Sequence, residues 1–328
     1  MTTFRRRALI LGIVLTIVAL LGRGIEAQPP RMVKIGALTE SWGPTPAIVG
    51  LRDGLQELGY REDVQFTIGV RFTQGAPAEL PAAAQDLVRH GVDMLVVSGG
   101  GNAARAAQMA TNRIPIVFLG GGDPVGWGLV KSFARPGGNI TGVADLELDT
   151  VGKRMELFRE IVPRLKRVLL VYDATNADAV ERLAVHRDAA RRLGLTLVEK
   201  PVRTEEEARV AITRARKDEV DGVFSPRLLS LNIPGLILEV APTLALPTMF
   251  HNAFYVEQGA LASYAASNYQ LGRQASRLVD KILKGTNPAE LPVEQPTTFE
   301  LVINRKTAKA LGLTIPPSLL QRADRVIE

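Results

Sequence analysis

Residues 33–59 read VKIGALTESWGPTPAIVGLRDGLQELG, and this stretch decides the fold class. An apolar run, Val33–Leu38, gives way to turn-forming residues and then to Ile48, Leu51, Leu55 and Leu58, a stripe at helical spacing that Gly59 closes. A buried strand running into an amphipathic helix is half of a βαβ unit. The same pattern repeats outward along the chain. Phe66–Val70, Met94–Val97 and Ile116–Leu119 complete a first series of strands, with a stripe through Leu80, Ala84, Leu87 and Val88 stopped by Gly91. A second series, Val168–Val171, Leu195–Val198, Gly222–Phe224 and Pro247–Phe250, has starts 25 to 27 residues apart and a stripe through Val180, Leu183, Ala190 and Leu193 that ends at Gly194. Such alternation calls for parallel sheets with crossover helices. Two successive series predict an α/β protein of two doubly wound lobes.

The turn residues Ala134-Arg135-Pro136-Gly137-Gly138-Asn139 lead into Ile140–Val143, which reads as a crossing between the lobes. Beyond the second series, Leu271, Ala275, Leu278 and Ile282 mark a helix capped by Gly285, and Pro288, Pro292 and Pro296 punctuate a connector to Phe299–Ile303. The tail therefore threads back through both lobes. The expected division is 33–139 plus about 259–285 for the first lobe, and 142–250 plus about 296–328 for the second.

Residues 1–27 read as a secretory signal peptide: Arg5-Arg6-Arg7, an apolar run from Ala8 to Gly22, and a small-residue cleavage point after Ala27. The run is 15 residues, short of the ~18–20 that span a bilayer. The chain has no cysteine, which removes a disulfide framework and thioether lipidation. A periplasmic or otherwise extracytoplasmic protein, soluble after cleavage and monomeric, is the expectation. Part of the formal charge of +6 lies in the leader, and the remaining Lys and Arg are interleaved with Asp and Glu, as in Arg203 to Lys217. That pattern is a solvated surface and excludes a nucleic-acid partner.

In open parallel sheets ligands bind beyond the carboxyl ends of the strands. Thr39-Glu40-Ser41-Trp42 offers hydroxyls and an indole, and Ser98-Gly99-Gly100-Gly101-Asn102 leaves bare amides with a capping Asn at a helix start. Gly120-Gly121-Gly122-Asp123 places an acid where it could meet an ammonium group. In the second half, Asn176, Pro226 and Asn252 follow strands, and Asp178 is a candidate helix cap. Gly99 to Ala104 fits G-x-G-x-x-A, but in the third βα unit rather than the first, so an NAD-type dinucleotide enzyme is a weaker alternative. Val96-Val97-Ser98-Gly99-Gly100 lacks the first glycine of a hydrolase nucleophile elbow. His90, His186 and His251 show no metal-ligand spacing; the first two read as solvated or capping. No catalytic residue, metal or cofactor is expected.

Ile35-Gly36-Ala37-Leu38-Thr39, Gly54 to Tyr60, Ile114-Pro115-Ile116-Val117-Phe118, Gly122 to Gly126, Arg135 to Gly142, and the tail from Phe299 to Asn304 and Ile315-Pro316-Pro317 together resemble the ABC transporter substrate-binding family that includes TrpX-like proteins. The resemblance spans nearly the whole chain after the leader. It implies a bilobed fold like that of type I periplasmic-binding proteins, with three crossovers between the lobes, a permease and ATPase as membrane partners, and an amino acid or related carboxylate as ligand. Hinge closure would trap the solute. The expected ligand contacts are Thr39, Ser41, Trp42, Gly100, Gly101, Asn102 and Asp123 in the first lobe, with Asn176, Pro226, Asn252 and Tyr264 in the second. In that scheme the amides of Gly100–Asn102 hold the acid group and Asp123 the amine; Trp42 and Trp127 are available for stacking. A sensory ligand-binding module would use the same closed state.

Overall fold

The first strand, β1 (Val33–Thr39), is buried from Ile35 onward, so its apolar run is continuous rather than alternating, as parallel strands covered on both faces require. A computed structural model describes residues 32–41, 45–74, 76–120, 122–145, 147–227 and 230–328, so the leader lies outside the described residues. With β2 (Phe66–Phe72), β3 (Met94–Ser98), β4 (Ile116–Leu119) and β5 (Ile140–Val143), β1 forms a wholly parallel sheet in the order β2-β1-β3-β4-β5. Helices α1 (Pro46–Glu57), α2 (Leu80–Arg89) and α3 (Gly101–Ala110) make the crossovers. Thr45 starts α1 by accepting from the Ile48 amide, with Pro46 at the first position.

The second lobe repeats the winding. Its strands are β6 (Arg167–Asp173), β7 (Thr196–Val202), β8 (Gly222–Phe224), β9 (Thr248–Phe250), β10 (Ala262–Ala266), β11 (Phe299–Asn304) and β12 (Arg325–Ile327). They run β12-β11-β10-β9-β8-β6-β7, and only β10 and β11 pair antiparallel. The helices that precede and link β6 to β10 are α4 (Glu147–Ile161), α5 (Ala177–Arg192), α6 (Glu205–Thr213), α7 (Ile233–Val240) and α8 (Ala253–Glu257), and two short helices, Arg305–Ala310 and Pro317–Arg322, lie between β11 and β12. The order β7-β6-β8-β9-β10 matches β2-β1-β3-β4-β5 strand for strand. Each sheet therefore has its topological switch point between its first and third strands, where doubly wound folds bind ligands. Each has apolar cores on both faces.

Two segments fall on the other side of the expected lobe division. Ile140–Val143 does not cross: it pairs residue for residue with β4 and is fully buried as the edge of the first sheet. The 262–266 stretch belongs to the second sheet, because β9 and β11 take up its two edges. The chain passes between lobes at 144–145, after β10 at Ser267, and at 295–298. The second passage enters α9 (Asn268–Leu283), which packs on α1. The first and third passages run side by side, with Glu294 donating to Gly142 and receiving the Ala144 amide. No helix among the described residues is long and apolar enough to cross a membrane.

Candidate ligand-binding site

Loops from both lobes meet where the strands end, and Asp145, in the first passage, touches both sides. Its Oδ1 accepts from the Gly122 amide of the first lobe at 2.9 Å, and its Oδ2 pairs with Arg227, which follows β8. Two residues on, Glu147 opens α4 as an acid at a helix N-terminus. It accepts from Arg154 at 3.2 Å and Arg182 at 2.9 Å. Arg182, on α5, reaches back to the first lobe, its guanidinium 5.9 Å from the Trp127 ring centre. Trp127 in turn lies on Gly101: a β-carbon there would sit 2.5 Å from Cζ3 of the indole. The ring thus covers the N-terminus of α3, which closes off the approach that a dinucleotide pyrophosphate would need.

The electrostatics follow from burial. Arg154 is fully buried under the Phe224 ring, 4.5 Å from its centre, and burial pushes its pKa down, with Glu147 opposing and Arg227 adding to the fall. Burial works against the charge of Arg227 too, yet Asp145 and Glu147 outweigh it and hold its pKa above the ordinary value. Glu40, just after β1, has its pKa raised by burial, and Arg227 of the other lobe opposes that rise. Glu40 and Arg227 thus bring an acid and a guanidinium to the site from opposite lobes.

The expected contacts differ in how the fold holds them. Thr39 is buried and accepts from the Ser41 amide at 3.3 Å while donating to Ser41 Oγ, so both hydroxyls belong to the turn after β1. Gly100 and Gly101 begin α3 with no side-chain cap, and Asn102 is exposed in its first turn. Asp123 is exposed, and its Oδ1 accepts from the Val125 and Gly126 amides of its own turn. Asn176 caps α5, at the position read for Asp178, and Asn252 caps α8. Tyr264 stacks on Phe299 at 5.9 Å and packs against the core of the second lobe. Pro226 lines a small cavity under the cleft. Trp42 lies outside the described residues.

Sequence reasoning missed Glu40, Asp145, Glu147, Arg154, Arg182 and Arg227 as site residues. One signal was present: Arg154 stands in the stripe Val151, Arg154, Met155, Phe158, a cation on a buried helical face. His90 is exposed as expected, bonding the Asp86 carbonyl of its own helix. His186 is buried rather than solvated, edge-on to Phe224 at 5.8 Å.

Burial also holds the pKa of His186 and His251 down, well below the ordinary 6.5 for His251, beside Arg154 and Arg227. The unfolded rings take up protons below pH 6.5 while the folded ones stay neutral. Their contribution to stability is thus complete above that pH and is lost as pH falls, at up to about 1.4 kcal/mol per unit for each ring. Glu40 and Glu300, with raised pKa values, act in the opposite sense. Urea unfolding between about pH 7 and about pH 5.5 should therefore show a shallower acid slope in His251→Asn than in the parent. Equal slopes would mean that the ring is already protonated in the fold.

Two lobes of identical winding, joined by three passages and meeting through polar loops at their switch points, define a bilobed ligand-binding protein. The model of the family described as ABC transporter substrate binding protein matches residues 33–327, and the chain belongs to that family. It is a solute-binding protein of the ABC importer type, working outside the cytoplasm, and not an enzyme. A tyrosine-binding protein of Clostridioides difficile (strain R20291) is 28% identical over 291 residues, 88% of this chain and 83% of that one. The crystal structure of an ABC domain in complex with L-Trp from Streptococcus pneumonia is 29% identical with a TM-score of 0.79, covering 90% of this chain and 99% of that one. A conserved domain protein from Vibrio cholerae is 32% identical, again with a TM-score of 0.79 and the same coverage.

Proposed function

We propose that the cleft takes an amino-acid-like solute and hands it to a permease and ATPase in the membrane, with the receptor acting as a monomer. The observation that carries this reading is the placing of an acid after β1 and a guanidinium after β8 against the first lobe's glycine loops: a β-carbon on Gly100 would lie 4.0 Å from Glu40 Oε1, and one on Gly120 would lie 3.9 Å from Arg227 Nη2. A zwitterion matches such walls: its carboxylate faces Arg227, and its ammonium faces Glu40. Relatives whose names or structures carry tyrosine and L-Trp support the amino-acid class. Thr39 and Ser41 line the first wall and Trp127 offers a ring for stacking.

Native mass spectrometry of the protein as purified tests the reading, followed by titration with the common amino acids. A retained or added amino-acid-like solute is expected, and Arg227→Gln should weaken it about tenfold to a hundredfold, the worth of a charge-assisted hydrogen bond. A retained solute without an acid group, or an unchanged affinity in Arg227→Gln, would refute the assignment.

A further inference from the structure

The cavity beneath the cleft floor has a hydrogen-bonding character that the ion pairs do not exhaust. It encloses about 20 Å³ and is lined by Glu147, Tyr172, Arg182, His186, Pro226 and Arg227 together with apolar side chains. Space of roughly 10–15 Å³ holds one water-sized group, so one oxygen fits. Nδ1 of the buried His186 lies 2.8 Å from the Arg182 carbonyl oxygen. A carbonyl only accepts, so Nδ1 carries the ring proton. Burial, helped by Arg154 and Arg182, keeps the ring neutral. Nε2 is then a buried lone pair, and no donor reaches it among the described residues.

Around this acceptor the other groups are in surplus as donors. Arg154, against the same Phe224 ring, has Nε and Nη1 buried with no partner among the described residues. The guanidiniums of Arg182 and Arg227 line the cavity itself. A carboxylate here would set its lone pairs against Nε2 and the Glu147 carboxylate, and an ammonium would find Glu147 already engaged by Arg154 and Arg182 while facing the guanidiniums of Arg182 and Arg227. A hydroxyl satisfies both sides, accepting from a guanidinium and donating to the imidazole.

We propose that the solute carries an alcohol or phenol hydroxyl that enters this cavity and donates to His186 Nε2 while accepting from Arg182 or Arg227. The assignment rests on the receptor reading above and narrows its ligand to hydroxyl-bearing amino-acid-like solutes. A buried acceptor left unsatisfied is costly, so a site built this way discriminates strongly against the analogue without the hydroxyl.

Calorimetric affinities for two pairs test it: L-tyrosine with L-phenylalanine, and L-threonine with L-valine. In a pair that binds, the hydroxyl-bearing member is expected to be at least about tenfold tighter. His186→Phe should erase the difference, and His186→Gln, which keeps an accepting oxygen, should restore part of it. Should His186→Phe fail to fold, the parent comparison and His186→Gln decide. Equal affinities within a pair that binds mean that water fills the cavity, and overturn the proposal. If none of the four binds, native mass spectrometry identifies the retained solute. One without a hydroxyl overturns the proposal and leaves the receptor reading standing, whereas one with a hydroxyl is put through the same comparison against its deoxy analogue. No retained and no added ligand would overturn the receptor reading and this proposal together.

Discussion

Gly272→Ala is expected to destabilise the protein by about 2–3 kcal/mol, at the upper end for overpacking, because nothing that it meets is able to rotate away. At the crossing of α1 and α9, a β-carbon at 272 would stand 2.7 Å from the Leu51 amide nitrogen and 2.8 Å from the Ala47 carbonyl carbon. Gly50 faces the same seam, where a β-carbon would lie 2.9 Å from the Tyr269 carbonyl carbon. These contacts are backbone on backbone, so the helices must separate. Separation would also stretch the Tyr60–Asp280 and Tyr269–Asp53 hydrogen bonds, now 2.8 and 2.9 Å, that span the pair. The gain in helix propensity, up to about 1 kcal/mol for alanine over glycine, offsets only part of the loss. Gly152→Ala in α4 isolates that gain, since nothing lies within 4 Å of its would-be β-carbon. Urea midpoints should move in opposite directions for the two variants, and a parent-like midpoint for Gly272→Ala would show that the seam yields more easily than its geometry says.

That seam was invisible in the sequence, whereas the strands and helices it joins were plain. Strands buried on both faces spell continuous apolar runs such as Met94–Val97, and the helices over them spell stripes, so local pattern suffices for both. Partnership is not local. The four residues Ile140–Val143 carry no mark of whether they close the first sheet or leave it, and Ala262–Ala266, three alanines with Ser263 and Tyr264, gives no run of large apolar residues. The loops of the cleft were legible because glycine and capping residues cluster after strands. Its charges were not, since Glu40, Asp145, Arg182 and Arg227 look like any members of a chain that is 23% charged until the fold brings them together. Arg154 and His186 are intermediate cases, polar residues standing within apolar stripes, and the stripe itself is the clue.

Glu147→Gln is expected to cost about 3–5 kcal/mol, the largest effect of any single change here, because it strands a buried charge. Glu147 is the carboxylate bonded to both Arg154 and Arg182, while Asp145 is engaged with Arg227. Arg154 has no exposed surface, and a guanidinium keeps its proton at any working pH. Its positive charge would remain in the core beside Phe224 without a counter-ion. Glu147→Gln/Arg154→Met removes the stranded charge as well and should recover most of the stability, as apolar replacements of buried pairs commonly do. If the double variant is no more stable than the single one, lost packing rather than stranded charge is the cause. The pair also separates two roles of Glu147, for it anchors Arg182, whose guanidinium meets Trp127 of the other lobe. Restoring the core through Arg154→Met does nothing for that anchor. Ligand affinity and the compactness of the closed form in small-angle scattering should therefore stay impaired in the double variant after its urea midpoint has returned, which places closure on Arg182 and stability on Arg154, with one carboxylate serving both.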